Sequence, residues 1–247
     1  FMGLVEPGDE VIILEPAYIS YLQLARAAHA RAVPVHAKEE NGWLPDLDEL
    51  RAAVTPKTKL LVLNTPGNPT GAVYPREVLQ QIAALAQEQD FLVLSDEVYE
   101  KLIYDGAQHV SIASLDGMKE RTITINGFSN IIAQSAAITA LQAGESCVEE
   151  MRREYARRRQ FLLDAFAQIP EISCVAPAGT FYIYPNISGT GLSGTEFADK
   201  FLMEAGVATV PGTAFDSFCN SHIRLSYASS MESLQTAVSR LKGMLKK

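Results

Sequence analysis

Residues 60–99 constrain the fold more than any other stretch of the chain. An apolar run, Leu60-Leu61-Val62-Leu63-Asn64, breaks into the turn-rich loop Thr65-Pro66-Gly67-Asn68-Pro69-Thr70-Gly71. An amphipathic segment over 76–89 follows, then a second apolar run over 91–94 that stops at Ser95-Asp96-Glu97-Val98-Tyr99. Short apolar runs bounded by turn residues read as buried strands, and apolar residues three and four apart read as a helix. Two strands joined by a helix form a parallel pair whose faces helices cover. In open sheets of this kind ligands sit at the carboxyl ends of the strands. Asn64, Asn68, Asp96 and Tyr99 are therefore expected to converge on one crevice.

The flanking sequence extends the pattern in both directions. Residues 11–14 read as a buried strand, Pro16 to about Ala28 as a helix, and 32–36 as a second strand. A helix over 46–54 has Asp46 placed to cap it. Phe1 to Leu4 read as the tail of a helix that ends at Pro7-Gly8. Residues 101–115 read as a loop region and 121–129 as a strand. Beyond them come a helix-like string at 131–141 and a long charged helix over 145–166. Two short strands around Gly179, a helix over 194–205 closed by Gly206, strands near 207–212 and 222–228, and a capped terminal helix complete the chain. The expected class is α/β. A mostly parallel sheet flanked by helices forms a large domain over 1–144, and a smaller α+β C-terminal domain covers 145–247.

Composition narrows the function. With 247 residues and 47% apolar content, the chain can bury a sizeable core. A net charge of −8 argues against a nucleic-acid surface. The longest apolar runs are far shorter than a membrane span, and no signal peptide is visible. Three scattered cysteines, Cys147, Cys174 and Cys219, suggest reduced thiols rather than a disulfide framework or a zinc site, and no metal is expected. His29 and His36 read as surface or strand-end residues, and His109 as exposed. The basic run Arg152-Arg153 and Arg157-Arg158-Arg159 reads as a solvated helix face paired with Glu149, Glu150 and Glu154.

Two charged residues demand partners. Asp96 at the end of a buried strand reads either as a structural cap or as a ligand to something positive. Arg224 sits among apolar neighbours in a strand, where a surface salt bridge competes with bidentate carboxylate binding by the guanidinium fork. Tyr18 and Tyr21 read, on their own, as half-buried aromatic packing, and Glu97 is expected to face away from the crevice.

Four segments in order, NTPGNPTGAVY (64–74), SDEVYEKLIYDG (95–106), TINGFS (124–129) and HIRLSYA (222–228), resemble the class I/II, fold-type-I aminotransferases. The resemblance implies pyridoxal 5'-phosphate as cofactor, amino acids and 2-oxo acids as substrates, a homodimer and a cytoplasmic setting. It implies that Tyr18 stacks on the pyridine ring and that Asp96 keeps the ring nitrogen protonated. Tyr99 and Asn68 then bond the ring oxygen, and Arg224 with Asn68 holds the substrate α-carboxylate.

The chain also departs from that family. The Schiff-base lysine expected directly after Ser129 is absent, and Asn130 stands there. Lys101, nearest to the site in sequence, falls in a segment that the family uses as a wall. The later block whose arginine binds the cofactor phosphate is missing too, because residues 130–137 resemble a helix well downstream of it. The family's glycine-rich phosphate loop would precede Phe1. One reading is an aminotransferase whose lysine block is omitted from the chain. Another is a non-catalytic truncated homologue acting as a binding or dimerisation module, and a third is a related pyridoxal phosphate lyase. A nicotinamide-binding domain lacks its Gly-x-Gly-x-x-Gly turn here.

Overall fold

The computed structural model describes residues 1–127, 144–216 and 218–246. Phe128, the Ser129–Asn130 junction and the helix expected over 131–141 lie outside these.

Strands β1 (Glu10–Glu15), β2 (Arg31–His36), β3 (Thr58–Asn64), β4 (Leu92–Asp96) and β5 (Thr122–Ile125) form a five-stranded sheet in the order β2-β1-β3-β4-β5. All its pairs are parallel. Helices α1 (Ser20–Ala27), α2 (Leu47–Ala53) and α3 (Arg76–Glu88) connect successive strands. Val11 to Ile13 and Leu60 to Leu63 are buried on both faces of the sheet, which is why they read as continuous apolar runs. One apolar cluster, including Ile12, Leu61, Leu63, Leu79 and Ile82, packs α2 and α3 on one face; another, including Ile13, Tyr21, Ala25 and Leu60, packs α1 on the other. Each fully buried Leu or Ile contributes about 1.5–3 kcal/mol. Asp46 caps α2 by accepting from the Asp48 and Glu49 amides.

The remaining chain builds a second layer. Helices α4 (Glu145–Phe166), α5 (Gly194–Ala205) and α6 (Met231–Leu245) surround a three-stranded antiparallel sheet of β6 (Tyr182–Ile183), β8 (Ile223–Ser226) and β7 (Val210–Pro211), in that order. Leu162, Phe166, Phe197, Phe201, Val238 and Leu241 form its core. A capping box between Ser193 and Glu196 starts α5, and Gly206 at φ 64° ends it.

Phe1 to Leu4 make a single turn, with the Leu4 and Val5 amides both donating to the Phe1 carbonyl. Two expectations need correction. Around Gly179 only Tyr182–Ile183 is a strand; Ser173 makes an isolated bridge to Asn186 and Gly179 one to Ile103. Arg159 is not on the solvated face of α4. It is 3% exposed, donating to the Pro177 carbonyl at 2.6 Å and pairing with Asp105. The other arginines of that run do pair with Glu149 and Glu154.

The segment around Gly179 fastens the second layer to the 65–71 loop. The Gly179 amide donates to the Gly71 carbonyl at 2.9 Å, and the Thr180 amide donates to the Leu102 carbonyl at 2.9 Å. A Cβ at Gly179 would lie 2.7 Å from Pro66 Cβ and 2.9 Å from the Leu102 carbonyl oxygen. Gly179→Ala is therefore expected to cost about 1–3 kcal/mol through overpacking against backbone. Urea unfolding reads this directly, and an unchanged midpoint would mean that the approach is not tight.

Candidate active site

The carboxyl ends of β3 and β4 stand side by side, with Asn64 in register with Asp96. Asn64 ties the loop to the sheet. Its amide nitrogen donates to the Asp96 carbonyl at 3.1 Å, and its side-chain oxygen accepts from the Asn68 amide at 2.8 Å. That second bond fixes the loop so that the Asn68 side chain meets β8. There the Asn68 Oδ1 accepts from Arg224 Nη1 at 3.0 Å. The two residues are 156 positions apart in sequence, one in the loop after β3 and the other in β8.

Arg224 is held by more than Asn68. Its guanidinium lies 4.3 Å from the Tyr182 ring centre and 4.8 Å from that of Phe215. Such contacts contribute roughly 0.5–2 kcal/mol each. Burial lowers its pKa, and the neighbouring phenols of Tyr182, Tyr99 and Tyr18 oppose that shift. Among the described residues its buried Nε has no hydrogen-bond partner and its guanidinium forms no ion pair. A buried donor without an acceptor costs about 1–3 kcal/mol. A bound carboxylate would satisfy Nε with a charge-assisted bond.

Asp96 points into the same region. One carboxylate oxygen accepts from the Tyr21 hydroxyl at 2.5 Å and the other from the Val98 amide at 3.2 Å. Tyr21 is 4% exposed, and burial together with the Asp96 charge raises its pKa. Tyr18, 42% exposed, meets the edge of the Tyr21 ring at 5.7 Å. The Tyr99 hydroxyl lies 3.5 Å from that of Tyr182. Burial, that bond and the Asp96 charge raise the Tyr99 pKa, while Arg224 lowers it. The structure thus joins Asn68 to Arg224 directly and places Tyr99 within electrostatic reach of both Asp96 and Arg224. No hydrogen bond joins Tyr99 to Asn68 among the described residues. Lys101 is exposed.

Several contributors had no distinct sequence signal. Tyr21 holds Asp96, although its position in an amphipathic helix suggested packing alone. Tyr182 and Phe215 bracket Arg224 from two separate segments. Glu97 does face away from Asp96, into a closed network. It is buried and accepts from Ser95 and Ser111 at 2.8 Å each, with His109 Nε2 at 3.0 Å. His109 is consequently half-buried, not exposed. Burial alone would raise the Glu97 pKa, but these hydrogen bonds outweigh it and the net shift is downward. His36 ends β2 as expected, and its Nδ1 lies 3.8 Å from Glu15 and 3.6 Å from Asp216. These two carboxylates line a cavity of 610 Å³ on whose wall Tyr18 and Phe215 also stand.

Comparison with known proteins places this arrangement. The family model described as aminotransferase class I and II matches residues 1–131 and 126–241. The chain is 41% identical to the aspartate aminotransferase of Pyrococcus abyssi over 284 residues, covering 99% of this chain and 73% of that one. It is also 41% identical to the aromatic-amino-acid aminotransferase 2 of Thermococcus litoralis, with the same coverage. The structure of the aspartate aminotransferase from Thermus thermophilus with maleate superposes with a TM-score of 0.92 at 38% identity, covering 98% of this chain and 72% of that one. The alignment of 284 residues exceeds the 247 of this chain, so the Pyrococcus protein carries residues within the span that are missing here. The two family matches overlap at 126–131, a stretch that contains no lysine. The chain belongs to the class I and II aminotransferase family.

Proposed function

We propose that this chain carries the recognition half of an aminotransferase site, and that it moves amino groups between amino acids and 2-oxo acids only when a lysine is supplied after Ser129. The observation that carries the reading is the Arg224–Asn68 pair with its buried, unpartnered Nε. It is the arrangement a substrate α-carboxylate needs, and the maleate of the Thermus structure is a carboxylate ligand of the same chemistry.

The residues present fit the ring of pyridoxal phosphate. Asp96 would face the ring nitrogen, Tyr99 and Asn68 the ring oxygen, and Tyr18 one face of the ring. When bound, the cofactor supplies an electron sink that stabilises charge at the substrate α-carbon. The protein's own part is positional. Tyr21 and the Val98 amide hold the Asp96 carboxylate in place. Tyr182 and Phe215 hold the guanidinium plane, and Asn68 fixes one of its nitrogens. Tyr99 keeps its proton at neutral pH, because its pKa is raised, and so donates. The reading extends to a cytoplasmic homodimer, as is usual for the family; among the described residues no helix is long and apolar enough to cross a membrane.

An absorbance titration with pyridoxal phosphate tests the ring assignment. Asp96→Asn removes a charged partner without changing shape and is expected to weaken binding about 10–100-fold, from the ~1.5–3 kcal/mol of a charge-assisted bond. Equal affinity in the variant would refute the role given to Asp96.

A further inference from the structure

A second cluster lies apart from the crevice, where residues 39, 184, 186 and 219–222 meet. The Cys219 Sγ is 2.8 Å from His222 Nδ1, and His222 Nε2 is 3.2 Å from the Glu39 carboxylate. Asn186 Nδ2 donates to the same Glu39 oxygen at 2.8 Å. A carboxylate only accepts, so Nε2 carries the ring hydrogen and Nδ1 of the neutral imidazole is an acceptor. The thiol hydrogen therefore points at Nδ1, which also has the Ser221 hydroxyl at 3.1 Å. Nucleophile, base and orienting carboxylate are in the relation that activates a thiol.

The second observation is Tyr184. Its side chain is 2% exposed and stacks on His222 at 4.9 Å and 21°. Among the described residues its hydroxyl has no oxygen or nitrogen acceptor, and the group it faces is the Cys219 thiol, a weak acceptor. A buried hydroxyl with no strong acceptor marks a place where an added oxygen would be bonded. The thiol itself is only half-buried, on the wall of a 460 Å³ cavity shared with Glu39, Trp43, Asn186 and His222.

We propose that Cys219 is a modification site, oxidised by small hydroperoxides to a sulfenic acid with His222 as the base and Glu39 as its positioning residue. The thiol sulfur attacks the terminal peroxide oxygen. An S–O bond forms and the O–O bond breaks. The thiol proton passes to His222 Nδ1 and on to the leaving oxygen, which departs as water or an alcohol. Sulfur loses two electrons and the peroxide gains them. The new sulfenic oxygen would be a stronger acceptor for the Tyr184 hydroxyl than the thiol sulfur. Burial raises the Cys219 pKa and lowers that of His222, so the resting pair is neutral and the proton moves only as the sulfur attacks.

The other two thiols are internal controls. Cys147 is exposed, and Cys174 is half-buried like Cys219, but its thiol donates to the Val175 carbonyl at 3.2 Å and its pKa is raised to about 12, chiefly by desolvation. The chain is exposed to hydrogen peroxide, the sulfenic acid is trapped with dimedone, and peptides are mapped by mass. Cys219 is expected to be labelled and Cys174 not. His222→Ala is expected to slow Cys219 labelling at least ~10-fold and to leave Cys147 unchanged. Glu39 is nearer the surface, so Glu39→Gln serves if the histidine variant does not fold; it is expected to slow labelling about 3–10-fold. In the wild type the rate should rise with pH below the usual imidazole range, following His222, and this rise should be lost in His222→Ala and displaced in Glu39→Gln. Labelling of Cys147 without Cys219 overturns the proposal. A Cys219 rate and pH profile that stay the same in whichever of these variants folds overturn it as well.

Discussion

Supplying a lysine directly after Ser129, with the residues its relatives carry there, is expected to raise amino-group transfer at least ~100-fold. The reason is the chemistry left in the crevice. Moving a proton from the substrate α-carbon needs a base, and a positioned base contributes about 10²–10⁴-fold. Among the described residues that face Arg224 and Asp96, none is suited to the task. Tyr21 and Tyr99 have raised pKa values and keep their protons at neutral pH. Asp96 is tied to Tyr21 and the Val98 amide, and Asn68 does not titrate. Arg224 is a cation without a lone pair to offer. The gain is read in a coupled assay for 2-oxo acid release, with the same insertion carrying alanine in place of lysine as its control. Equal rates with and without the lysine would show that another group is the base.

The second large effect is expected at Arg224. In the lysine-restored chain, Arg224→Ala should raise KM for amino acids, and in the chain as it stands it should weaken 2-oxo acid binding, by about 10²–10³-fold in each case. Breaking a buried charge-assisted pair from one side costs about 3–5 kcal/mol. Part of that is offset here, because the arginine already has an Asn68 bond and two ring faces when no carboxylate is bound. Arg224→Lys keeps the charge and loses the fork, and recovers little, since an ammonium cannot present two parallel donors. Calorimetric titration with a 2-oxo acid distinguishes these variants. An unchanged affinity in Arg224→Ala would remove the carboxylate from this place.

The parallel sheet was legible because β1, β3 and β4 are short apolar runs closed by a polar or turn residue. Asn64, Asn68 and Asp96 were legible for a related reason. They sit where apolar runs stop, and polar groups at such points face a ligand or a cap. Arg224 declared itself by standing in an apolar pattern. What the pattern could not supply was the set of residues that hold these groups. Tyr21 lies on an amphipathic helix, where an aromatic at that spacing serves packing equally well. Tyr182 and Phe215 are ordinary apolar residues until two loops bring them to either side of one guanidinium. Arg159 looked solvated because its helix neighbours are, yet the 105 and 177 segments close over it. His109 and Glu97 are twelve residues apart and pair only because the loop between them turns back. In each case the missing information was a long-range contact between segments whose local patterns are unremarkable.

The most direct test of the account is to load the chain with pyridoxal phosphate, reduce with borohydride, and separate free from retained cofactor. The account predicts saturable binding by absorbance before reduction, and loss of the cofactor on gel filtration afterwards, because recognition is present and the lysine is not. Cofactor fixed in equal amount to one lysine of the chain, Lys101 included, would contradict it; so would the absence of saturable binding.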